Sequence, residues 1–112
     1  AIKINLATMF VINSRIDCLI RQAIREKRLL RFLYAGKERI VEPHDYGVQN
    51  GKVRLLSYQI GGESNTGALP AWRWIDVNRM SDIRVEERHF KGSRGPDSTQ
   101  HHKWDQLYAR VA

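Results

Sequence analysis

Arg73 and Arg79 bracket the run "RWIDVNR", which carries Ile75 and Val77 between them. In an extended chain, side chains two apart share a face, so Arg73 stands beside the aliphatic Ile75 and Val77. A guanidinium in that position has two uses. It ends the strand and pairs with a carboxylate such as Asp76 or Glu42, or it lines a site for something anionic. Arg79, at a β-bend, either joins that site or bonds local carbonyls. Other chemistry finds no arrangement. The four histidines, twelve carboxylates and single cysteine form no paired nucleophile signature, and no Gly-rich phosphate loop, HExxH or GxSxG occurs. His101 and His102 are adjacent and diverge in helix or strand, a poor metal pair. An enzyme is not expected, and no cofactor is implied.

The charge balance favours an anionic partner. Nineteen Lys and Arg against twelve Asp and Glu leave a net charge of +7 over 112 residues, and thirteen of the cations are arginine. Such a surplus attracts polyanions, nucleic acid above all, although it also serves simply to keep a domain soluble. The length fits one domain with one modest core. No stretch of eighteen apolar residues occurs, so no membrane helix is expected. Cys18 has no disulfide partner, and with no secretory leader pattern a cytoplasmic setting is expected. Cys18 itself is expected to be a small residue packed against a neighbouring segment.

Residues 1–14 are largely apolar and read as an arm or an extra strand. Ile16, Leu19, Ile20, Ala23 and Ile24 then recur at helical spacing, giving a leading helix with Arg21, Arg25 and Arg28 on its opposite side. That basic face is a solvated surface or a second place for nucleic acid. The period changes to two in "LLRFLYAGKERIVEP", with a turn at Gly36 and a strand ending near Pro43. Asn50-Gly51 is a strong hairpin signal ahead of a strand from Lys52 to Ile60. "AWRWIDV" and "DIRVEE" read as two strands, or as one bent at Asn78-Arg79. Asp97 or Ser98 is read as the cap of a short C-terminal helix bearing Trp104, Leu107, Tyr108 and Val111, under which Trp72 and Trp74 would pack. The expected fold is therefore mostly β with flanking helices: a small β-barrel of about five strands, an N-terminal helix and a short C-terminal helix.

An ordered set of landmarks in residues 15–90 resembles a WYL domain, the SH3/Sm-like ligand-sensing barrel of bacterial transcription regulators. "FLYAG" resembles its first strand, and "RIVEPHDYGVQNGK" its Arg-x-x-x-Pro segment through Arg39, Pro43 and Tyr46. "VRLLSY" falls on the naming triplet, of which only Leu55 remains. "RWIDVNRM" resembles its Arg-x-Phe-x-Leu-Asp-Arg-Ile run with Ile75 in place of the phenylalanine, and Phe90 falls on its closing phenylalanine. The resemblance divides the chain into residues 1–14, a barrel with its leading helix over 15–90, and a loop with a helix over 91–112. It implies a module that binds a nucleotide or single-stranded nucleic acid in a basic patch and acts on an attached or partner DNA-binding domain. Arg73 and Arg79 match the basic positions, and Tyr34, His44, Ser57 and Tyr58 occupy neighbouring landmarks. Together these six supply guanidinium groups, hydroxyls and aromatic faces for a phosphate and a base. Tyr34 and Tyr58 also read as core or rim residues, and His44 as a polar edge residue. The competing class is an SH3-like protein-interaction or homo-oligomerisation module, using Trp72 and Trp74 or the apolar arm.

Overall fold

The computed structural model describes residues 14–64, 67–95 and 103–112. The expected arm over residues 1–13 and the proposed helix caps Asp97 and Ser98 lie outside them. Helix α1 (Ser14–Glu26) is followed by strands β1 (Arg28–Tyr34), β2 (Lys37–Gln49), β3 (Lys52–Gly62) and β4 (Ala71–Asp76). A single 3₁₀ turn, Val77–Arg79, leads into β5 (Met80–His89), and β6 (Gln106–Arg110) closes the chain. All the strand pairings are antiparallel, in the order β4-β3-β2-β1-β5, with β6 also paired to β2.

The β2–β3 hairpin follows from its turn. Asn50 and Gly51 both take positive φ, 51° and 76°, the conformation whose twist matches the flanking strands. At thirteen residues β2 is long enough to hold two neighbours on one edge: β1 pairs along Lys37–Val41 and β6 along Asp45–Val48. A bulge between Pro43 and Asp45 separates the two segments. The core lies where α1 covers the sheet. Ile20, Ala23 and Ile24 pack there with Leu30, Phe32, Val41, Leu55, Ile75 and Val77.

Two expectations are corrected. The sheet is open, with six strands, where a closed barrel of about five is expected; β4 and β5 follow one another in sequence yet stand at opposite ends of the pairing order. Among the described residues the C-terminal helix is not seen, and residues 106–110 form β6 instead. Trp104, Leu107, Tyr108 and Val111 do have helical spacing, but tertiary pairing decides the outcome. Gly47 lets the β6 backbone come so close that a Cβ there would collide with the Gln106 carbonyl. Arg110 then reaches the fully buried Asp45 with two bonds of 3.0 and 3.1 Å. A charge-assisted pair at a buried carboxylate outweighs the few tenths of a kcal/mol per residue carried by helix propensity, on the order of several-fold.

Candidate functional site

Alternation sorts the site residues onto two faces of the sheet. On β3, Val53, Leu55, Ser57 and Gln59 turn inward, while Leu56, Tyr58 and Ile60 turn outward. In register, Ser57 lies opposite Arg73, and Leu55 opposite Ile75. Arg73 therefore does share the inner face with the core, but at the end where that face becomes polar. Its Nη2 donates to Ser64 Oγ at 2.8 Å and its Nε to Gln59 Oε1 at 3.3 Å. Arg39 comes to the same oxygen from β2, Nη1 to Gln59 Oε1 at 3.2 Å. Its guanidinium carbon stands 5.4 Å from the Tyr34 ring centroid, and Arg79 approaches that ring at 5.0 Å from the 3₁₀ turn. The Tyr34 hydroxyl accepts a hydrogen bond from the Asp76 amide at 3.2 Å, which fixes the ring between the two arginines' elements.

Arg39, Arg73 and Arg79 thus meet around Tyr34 and Gln59. The two carboxylates expected beside Arg73, Asp76 and Glu42, hold other arginines. Asp76 pairs with Arg54 at 3.2 Å, and Glu42 holds Arg94 with two bonds of 2.8 and 3.0 Å. Among the described residues no carboxylate lies within 4.0 Å of Arg39 or Arg79. By contrast, Arg21, Arg25, Arg28, Arg31, Arg54, Arg94 and Arg110 each have one. Arg39 is only 8% exposed, and its Nε has no hydrogen-bond partner. Arg39 and Arg79 thus bring positive charge, with no carboxylate beside either among the described residues, to the edge of a low-dielectric core.

The six expected residues do not form one site. Tyr34, Arg73 and Arg79 belong to this cluster. Ser57 is fully buried beside Arg73 in register, with its hydroxyl unpaired. His44 and Tyr58 belong to the outer face, in an aromatic group with Trp72 and Phe90. His44 stands 4.8 Å from the Trp72 ring and 5.7 Å from Phe90, and Tyr58 stands 5.0 Å from Trp72. His44 is not the expected polar edge residue but is completely buried. Its Nδ1 lies 2.9 Å from the Glu42 carbonyl, and burial lowers its pKa from 6.5, so at neutral pH Nδ1 carries the proton and donates. Arg94 lies flat on Tyr58, 4.0 Å from its centroid. Beyond it opens a cleft of about 850 Å³ lined by Leu29, Glu42, Ile60 and residues 88–95.

Arg39, a landmark of the resemblance, lies outside the six expected site residues, as does Gln59. Period-two alternation puts both on the Phe32–Val41 face, so each reads as a polar residue at a core position. That was the available signal. The basic helix face also dissolves. Arg28 lies on β1, and Arg21 is drawn inward, donating to Asp17 at 3.0 Å and to the Tyr108 carbonyl at 3.2 Å. Cys18 is exposed rather than packed against a neighbour. Trp72 packs in the outer aromatic group, while Trp74 stays 36% exposed against Trp104, with ring centroids 5.6 Å apart. Among the described residues no helix is long and apolar enough to cross a membrane, and no group of His, Cys, Asp and Glu has a metal-binding arrangement. No protein-family model, curated protein or solved structure matches the chain.

Proposed function

We propose that this chain is a ligand-sensing domain that binds a nucleotide or single-stranded nucleic acid at the Arg39–Arg73–Arg79 cluster, on an SH3/Sm-like framework of the WYL type. One observation carries the reading: Arg39 shares the Gln59 oxygen with Arg73 and the Tyr34 ring with Arg79, and among the described residues no carboxylate lies within 4.0 Å of Arg39 or Arg79. Tyr34 adds an aromatic group, although its contacts with two guanidiniums mean that a base would have to share the ring. In the open sheet, β5 returns to β1 after a one-turn 3₁₀ link from β4. The fold places Arg79 on that link, so ligand occupancy would be felt by both edge strands. That is a physical route by which binding could reach a partner DNA-binding domain.

The test is fluorescence anisotropy with a labelled single-stranded oligonucleotide, its duplex, and unlabelled nucleotides as competitors. Wild type should bind the single strand saturably, with affinity falling as salt rises by about 0.7 log units per log unit for each phosphate neutralised. Arg73→Ala/Arg79→Ala should weaken binding about 150-fold or more, since each charged hydrogen bond is worth about 1.5–3 kcal/mol. Equal binding by both proteins would remove the cluster from the ligand site. A second reading, a protein-interaction module, is favoured by the exposed Trp74, packed against the half-buried Trp104. It gains if neither protein binds and Trp74→Ala abolishes self-association in sedimentation.

A further inference from the structure

The cleft beyond Arg94 lies on the outer face of the sheet, opposite the face that carries the Arg39 cluster. Strands β1, β2 and β3 run side by side there. Leu29, Glu42 and Ile60 alternate with the inward-facing Leu30, Val41 and Gln59, so they give the cleft its floor. Residues 88–95, the end of β5 and the chain leaving it, form its wall. That wall is tied at several points. The Phe90 amide donates to the Lys27 carbonyl at 2.9 Å, and the Ser93 amide to the Ala112 carbonyl at 3.1 Å. Gly92, at φ 108°, comes so close to the same Ala112 oxygen that a Cβ would collide with it. Arg94 fixes the segment to the sheet through Glu42 and Tyr58.

Two kinds of surface meet in this cleft. Its floor is apolar: Ile60 remains 36% exposed, with the buried Leu29 and the half-buried Phe90 lining the same space. Its rim is basic. Arg88 and Lys91 are exposed, and among the described residues no carboxylate lies within 4.0 Å of either. Among those residues Glu42 is the one carboxylate lining the cleft, and Arg94 already holds both its oxygens. Two cations therefore stand uncompensated beside an uncovered apolar floor. The volume of about 850 Å³ falls in the range of clefts that hold small organic ligands, about 300–1,000 Å³.

We propose that this cleft is a second binding site, for a small organic anion with an apolar body and a phosphate or carboxylate head. The body lies on Leu29, Ile60 and Phe90, and the head faces Arg88 and Lys91. The site is separate from the arginine cluster on the inner face and stands without it. A bare inorganic anion would leave the apolar floor in water, and a neutral hydrocarbon would leave both cations without a counter-charge. Only a molecule with both parts satisfies the whole cleft.

The experiment is titration of the full chain with anilinonaphthalene sulfonate, an aromatic body with one anionic head whose emission rises on apolar surface. Wild type should bind it saturably at one site, and more weakly as salt rises. Arg88→Ala/Lys91→Ala should bind at least tenfold more weakly. Ile60→Thr should bind about fourfold more weakly, the equivalent of one buried methylene. Two controls, Arg73→Ala/Arg79→Ala and Trp74→Ala, should bind as wild type does, which separates the cleft from the inner arginine cluster and from the exposed tryptophan. Cooperative melting checks that each variant is folded, and Lys91→Ala alone replaces the double variant if that one is not. Octyl phosphate and octanoate, kept below micelle formation, should displace the probe, and the stronger of the two identifies the head group. Inorganic phosphate and octanol should each be at least tenfold less effective. Equal binding by wild type and Arg88→Ala/Lys91→Ala, or binding lost in either control, overturns the site. Inorganic phosphate as effective as octyl phosphate overturns the apolar body.

Discussion

His44 shows how a single ring can be assigned to the wrong class from sequence. Beside Asp45 and Tyr46, and just after a proline, it reads as a polar edge residue. A bulge instead swings it under Trp72 and Phe90, where it is sealed from water with Nε2 unpaired. Burial lowers its folded pKa below the ordinary 6.5, against the opposing pull of Glu42 and Asp45. The unfolded chain therefore takes up this proton first. Stability from the neutral ring is full above about pH 6.5 and is lost as pH falls through the folded pKa. Melting followed from pH 7.5 to 5 should decline less steeply in His44→Gln than in wild type. Parallel declines would mean that the ring does not drive the acid response. Arginine roles were more legible. Arg73 and Arg79 stood out because a cation next to Ile75 and Val77 breaks the apolar pattern. Gln59 gave the weaker signal: a neutral amide where alternation calls for an apolar side chain, which its uncharged type makes easy to pass over.

At the level of elements, local pattern was informative wherever local forces decide. The α1 stripe, the Asn50-Gly51 hairpin and the break near Asn78 all depend on residues close in sequence, and each appears in the fold. β6 could not be read that way. Its partner lies about sixty residues earlier, and the conditions for pairing are a missing side chain at Gly47 and a carboxylate at Asp45. Gly47→Ala should therefore act at a distance. The added methyl pushes against the Gln106 carbonyl, costing about 2 kcal/mol, within the usual range for overpacking. Hydrogen exchange should show residues 106–110 losing protection while β3 and β4 keep theirs. Uniform loss across the sheet would mean that β6 is not an independently detachable strand. Detachment would also uncover Asp45, whose charge Arg110 now compensates.

Across the whole molecule, the mostly β character, the leading helix and the basic surplus were accessible from composition and period. Closure of the sheet and the split of the six residues between two faces were not, because both depend on which strands meet. The sheet is assembled from distant partners: β1 pairs with β5 some fifty residues later, whereas the hairpins need only their turns. Loop-closure entropy makes such pairings the late and slow events of folding. Arg39 and Arg73 can be brought together once β2, β3 and β4 have paired, but Arg79 approaches Tyr34 only after the chain beyond the 3₁₀ turn has docked on β1. The proposed anion site is then a property of the finished chain and of nothing before it. A bound anion would leave the folding rate almost untouched and slow the unfolding rate instead, lengthening the lifetime of the native state rather than hastening its birth.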